Sequence, residues 1–115
     1  MKVKINNSTF KVKLAISDKE RSTGMMKKRF DDTFNGMLFI EDGSESCFWM
    51  KNCVINLDIL FIDDNKITKI YHDCPPCYSN DCEHYCGSGD FVLELPGGTC
   101  KSLTISEGDN FVMLF

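Results

Sequence analysis

The chain has 115 residues, 43% of them apolar, and its 17 acidic and 13 basic side chains leave a formal charge of −4. A single domain of this length buries roughly two-thirds of the surface that its unfolded form exposes, so a core can form without obligatory crosslinks. No segment approaches the run of about 18 apolar residues that a membrane helix needs, and the only basic cluster, Lys27-Lys28-Arg29, is too small a footprint for non-specific nucleic-acid binding.

Val3 and Ile5 begin a strand, Asn6-Asn7-Ser8 turns it, and Phe10, Val12, Leu14 and Ile16 alternate with Lys11 and Lys13, which predicts a hairpin with a solvated lysine face. The same N-terminus lacks the apolar run of a signal peptide, so a cytoplasmic location is expected, or an extracytoplasmic one if a leader has been removed. Ser17 with Glu20 forms a capping-box pattern that opens a short helix, and Gly24 ends it. Lys27 to Asn35 is polar and connects this helix to a strand over Gly36 to Ile40, which Asp42-Gly43 turns back.

Phe48 to Cys53 and Leu57 to Ile62 read as two strands meeting at a turn. In the second, Leu57, Ile59 and Phe61 point one way and Asp58, Leu60 and Ile62 the other, so both faces are apolar except at Asp58. A buried carboxylate needs partners, and Lys51 and Asn52 are the nearest candidates. Asp63-Asp64-Asn65 is a turn, and Lys66 to Tyr71 forms a weaker strand. His72 to Gly89 is a cysteine-rich loop between two strands, too long to be a bare connector. Phe91, Leu93 and Leu95 alternate in a further strand, and Phe111 to Phe115 forms the last. The expected fold is mainly β. It is a single domain over residues 1–115, a sandwich, jelly-roll-like or partly closed barrel of about eight short strands with one short helix.

Several of these stretches fall into one ordered set: Arg21-Ser22-Thr23-Gly24-Met25-Met26, Arg29, Gly36-Met37-Leu38-Phe39, Phe48-Trp49-Met50-Lys51-Asn52, Leu57-Asp58-Ile59-Leu60-Phe61-Ile62 and Leu93-Glu94-Leu95-Pro96-Gly97-Gly98. The set resembles the signature of the domain of unknown function 192 family over nearly the whole chain. It departs at Cys53, where threonine is usual, and at Met25, where leucine is usual. The resemblance implies a small compact β-rich domain with no established activity.

Cys74, Cys77, Cys82 and Cys86 lie within thirteen positions, with His72 and His84 beside them. Three readings compete. Four thiolates could close a tetrahedral, structural zinc site. The thiols could pair as disulfides, and the family resemblance implies Cys77 with Cys82. Cys74-Pro75-Pro76-Cys77 could also act as a redox dithiol, although the following helix that lowers a thiol's pKa is lacking. Cys47 and Cys53 are too far apart on one extended segment to bridge each other, and Cys53 and Cys100 read as small buried residues.

Arg21, Lys51, Asn52, Asp58 and Glu94 are the polar members of the family-like motifs. If they converge, they could hold a small polar ligand or a protein partner. Alternatively they form a structural network in which Arg21 pins the helix to the sheet through Glu94. Trp49, with Met25, Met26, Met37 and Met50, could line an apolar pocket, or these residues are simply core. The leading expectation is therefore a non-enzymatic binding or accessory module without a cofactor. The alternatives are a hydrolase using Asp58 or Glu94 and a zinc- or disulfide-stapled interaction module.

Overall fold

In the computed structural model, which describes residues 1–115, nine strands and two short helices follow one another as β1 (Lys2–Ile5), β2 (Ser8–Ala15), α1 (Asp18–Thr23), β3 (Gly36–Ile40), β4 (Glu45–Phe48), β5 (Leu57–Asp63), β6 (Lys66–Cys74), β7 (Tyr85–Ser88), β8 (Phe91–Pro96), α2 (Thr99–Ser102) and β9 (Phe111–Leu114). Seven strands form one sheet in the order β6-β5-β8-β3-β2-β1-β9, and β4 pairs with β7 in a separate ribbon. Every pairing in the large sheet is antiparallel except β2 with β3, where Val12 to Ala15 run alongside Gly36 to Phe39.

The large sheet curls into a half-barrel. Its two outer strands approach each other where Lys66 bridges to Asn110, Phe111 N–H donates to the Asn65 carbonyl and Ile67 N–H donates to that of Asp109. All seven strands contribute to one apolar cluster, including Val3, Phe10, Leu38, Leu60, Leu93 and Phe111, which therefore fills the inside of the curl. A second cluster lies on the other face, where Ile59, Phe61, Phe39 and Val92 meet Met25, Phe34, Met50 and Tyr85 from the connections. The alternation in β5 distributes its side chains as expected. Leu60 and Ile62 enter the inner cluster, and Leu57, Ile59 and Phe61 the outer one.

The β4–β7 ribbon lies on the outer face of β5. A Cβ on Gly87 would sit 2.7 Å from the Phe61 ring, so only glycine permits the ribbon to pack this closely. Cys47 and Cys86 face each other in the register of the ribbon and are joined by a disulfide.

Three expectations need correction. Phe48 to Cys53 is not a central strand, because β4 ends at Phe48 and the chain then turns through Asn52, whose φ of 60° is left-handed. The segment from His72 to Gly89 is not wholly loop, because β6 runs through Cys74 and Tyr85–Ser88 forms β7. The fold has two short helices rather than one, because Thr99–Ser102 forms a second helical turn. The capping box at Ser17 is present: Glu20 N–H donates to the Ser17 hydroxyl, and Glu20 Oε1 accepts from Ser17 N–H.

Candidate functional site

A cavity of about 430 Å³ opens between α1, the segment that follows it, the end of β3, and β4. Its volume falls within the range of about 300–1,000 Å³ typical of small-ligand pockets. Phe39 and Phe48 meet edge to face at 5.0 Å and, with Met25 and Met26, give it an apolar wall. Trp49 stands at the opening, 43% exposed, and is therefore not core.

Glu94 is the one buried acid that lines this cavity. β8 is buried on both faces, so the side chain that alternation sends outward from the sheet enters the second cluster, opposite Met37 of β3 and Ile59 of β5. The residue is 3% exposed, lines the cavity and has no hydrogen-bonding or charged partner in the protein. Burial alone pushes its carboxyl pKa up to about 8, so the acid is largely protonated at neutral pH. Cys53 lines the same cavity, and burial, reinforced by the nearby Glu94, pushes its thiol up to about 12.

Arg21 reaches the cavity from α1 but does not bond Glu94. Its Nε donates to Glu41 Oε2 at 2.9 Å, and Nη1 lies 3.7 Å from Asp18 Oδ1. The helix is thus pinned to the end of β3 through Glu41, rather than to β8 through Glu94.

Asp58 lies elsewhere. It pairs in register with Leu95, one position along from Glu94, so the two carboxyl groups leave opposite faces of the sheet. Fully buried, Asp58 accepts three backbone hydrogen bonds: Oδ1 from Asp73 N–H at 2.8 Å and Gly98 N–H at 3.1 Å, and Oδ2 from Cys100 N–H at 2.8 Å. It ties β6 and the first turn of α2 to β5. Lys51 and Asn52, expected as its partners, hold the 75–84 loop instead. Lys51 Nζ donates to the Ser79 carbonyl and, at 3.0 Å, to Asn80 Oδ1. Asn52 N–H donates to the Cys77 carbonyl at 2.9 Å.

The four loop cysteines do not converge on a zinc centre. Cys77 bonds Cys82, Cys86 bonds Cys47, and Cys74 is a buried free thiol that burial pushes up to about 12. No group of three or more His, Cys, Asp or Glu residues is arranged to hold a metal. Nor is there a Cys74–Cys77 dithiol, because Cys77 is already bonded to Cys82.

Of the six proposed ligand-binding residues, the cavity collects Arg21, Trp49 and Glu94 and leaves Lys51, Asn52 and Asp58 outside. Sequence reasoning missed Phe39, Phe48, Glu41 and Cys53 as lining residues. It also missed the Cys47–Cys86 bridge, whose only signal was the register of a strand hidden inside the cysteine-rich stretch.

The fold is that of a small, mainly β-domain, a curled seven-stranded sheet with a separate two-stranded ribbon applied to it. The chain belongs to the DUF192 family, described as uncharacterized ACR, COG1430, whose model matches residues 1–113. It is similar to a protein of unknown function from Novosphingobium aromaticivorans DSM 12444, at 29% identity and a TM-score of 0.84, with 97% of this chain and 84% of that one covered. It is also similar to a protein described as a proposed transcription regulator from Sinorhizobium meliloti 1021, at 32% identity and a TM-score of 0.82, covering 96% of this chain and 91% of that one. No curated protein matches the chain. No helix is long and apolar enough to cross a membrane.

Proposed function

We propose that this domain is a non-enzymatic binding module that seats a small molecule in the cavity above Glu94. The observation that carries this reading is Glu94 itself, a residue 3% exposed that lines the cavity and whose carboxyl group has no hydrogen-bond partner within the protein. Burying an unpartnered acid is costly, and a ligand that hydrogen-bonds it recovers part of that cost. The Arg21–Glu41 pair stiffens the rim, and the Cys47–Cys86 bridge fixes the ribbon that supplies one wall. Two disulfides favour an oxidising compartment.

The test is a fragment screen by NMR on selectively labelled protein, observing the Trp49 indole and the Met25 and Met26 methyl groups. Binding reported by these signals and weakened by Glu94→Gln supports the reading. A screen in which bound fragments move only signals remote from the cavity would count against it.

A second reading, an enzyme with Glu94 as general acid, draws support from its pKa of about 8. Asp58 cannot be the second carboxyl group of such a site, because it leaves the opposite face of the sheet. Turnover of an ester or glycoside that Glu94→Gln abolishes would favour this reading over simple binding.

A further inference from the structure

We infer that the ligand of this cavity carries an ammonium group, which seats on Glu94 beneath an aromatic wall. This inference rests on the binding reading above and specifies the chemistry of the site.

Charge is the first consideration. The ionisable side chains lining the cavity are Asp18, Glu41 and Glu94 against a single cation, Arg21, apart from the Cys53 thiol. Arg21 Nε is bonded to Glu41 and its Nη1 lies near the exposed Asp18, so the acids lining the cavity outnumber its one cation. Lys28, near Cys53, is likewise engaged, its Nζ donating to the Gly24 carbonyl at 2.9 Å. An incoming carboxylate or phosphate would face three acids and one cation whose charge is already shared with two of them. An incoming ammonium would meet one acid that lacks a partner.

The walls agree with this. Phe39, Phe48 and Trp49 border the cavity, and aromatic faces attract a cation most strongly where it is desolvated. Depth matters as well. Glu94 is 3% exposed as a residue, so an ion pair formed at its carboxyl group is screened less by salt than one on the surface.

The proton balance follows from the chemistry of the pair. The protonated acid and the ligand's ammonium combine to give a carboxylate–ammonium pair, and one proton leaves for the solvent. The ionisable groups around Glu94 are the Cys53 and Cys74 thiols, both pushed up to about 12, and the Arg21, Glu41 and Asp18 cluster. Beyond Cys74 stand Tyr85, also pushed up to about 12, and Glu83. Among the carboxyl groups of the cavity, Glu94 alone is buried without a partner.

The experiment uses 2-phenylethylammonium, 2-phenylethanol and phenylacetate as probes of one shape and three charges. Binding is measured by calorimetry near pH 7 in two buffers of different ionisation enthalpy, and by the Trp49 and methionine NMR signals. The amine is expected to bind most tightly and to release about one proton per site. Glu94→Gln should weaken amine binding by about tenfold or more and abolish the release, while changing the affinity for the alcohol by less than about twofold. If the alcohol or the carboxylate binds in preference, or the amine binds without releasing a proton, the ammonium assignment is overturned and the pocket remains a binding site. If none of the three moves the cavity signals, both the ammonium assignment and the binding reading beneath it fail. Proton release is read on the unmodified protein, so the outcome does not depend on how the variant folds.

Discussion

Replacing Glu94 with glutamine should remove a pH-dependent loss of stability. In the unfolded chain this carboxyl group ionises near its ordinary value of 4.5, whereas burial keeps it protonated up to about 8 in the fold. Between those values the folded state holds a proton that the unfolded state has released, so stability falls as pH rises. The loss begins above 4.5 and is complete once pH passes about 8. At about 1.4 kcal/mol per pH unit, that interval integrates to about 5 kcal/mol. Glutamine has nearly the same shape and no proton to lose. Subtracting the two stability curves cancels every other titrating group and isolates this one. Urea unfolding followed by Trp49 fluorescence, at intervals from pH 4.5 to 9, should show the variant gaining on the parent by about 1.4 kcal/mol per pH unit until the difference levels off. Parallel curves would refute the reasoning, since they would mean that Glu94 ionises in the fold as it does in water. A difference of opposite sign would mean that a cation already pairs with it.

Asp58→Ala strands three backbone N–H groups, that of Cys100 buried and those of Asp73 and Gly98 partly so, and should cost about 3–6 kcal/mol in urea unfolding, against less than half that for Asp58→Asn, which keeps one acceptor. The two disulfides should differ in value. Cys47–Cys86 closes a 39-residue separation and Cys77–Cys82 one of 5, so the corresponding double serine variants should lose about 4 and about 2 kcal/mol in guanidinium unfolding. Intact mass should show two hydrogens missing per bridge, with Cys53, Cys74 and Cys100 resisting alkylation until the protein is unfolded. Gly87→Val should lower stability by about 1–3 kcal/mol, because the new side chain meets the Phe61 ring where the ribbon packs on β5. An unchanged melting temperature would show that the ribbon can lift away at no cost.

The architecture was largely legible because its carriers are local. Alternation in Leu57 to Ile62 fixed both faces of β5, the Ser17–Glu20 box fixed the start of α1, and the hairpin of β1 and β2 follows from Asn6-Asn7. The site was only half legible, and the reason is parity. Asp58 and Glu94 look equivalent in sequence, as acids within apolar strands. A one-residue offset in the pairing of β5 with β8 sends one to the inside of the curl and the other to the cavity. That register is a property of two distant segments and cannot be read from either. The same holds for Cys47, whose partner is set by the pairing of β4 with a strand that composition alone marks as loop. Arg21 found Glu41 rather than Glu94 because its helix packs against the end of β3, a contact that no local pattern encodes.

The single parallel pair in the sheet carries a consequence for how this cavity can change. Two parallel neighbours cannot be joined by a tight turn, so the chain must travel back the length of the strand before β3 can begin. That return journey, residues 16 to 35, contains α1, Met25 and Met26, and so supplies one whole side of the cavity. An ordinary surface loop can be trimmed with little effect on its sheet; this one cannot be shortened to a turn without unthreading β2 from β3. Mutation can therefore reline the hollow readily, altering what it accepts, but a descendant that kept the strand order would still have to build a wall there.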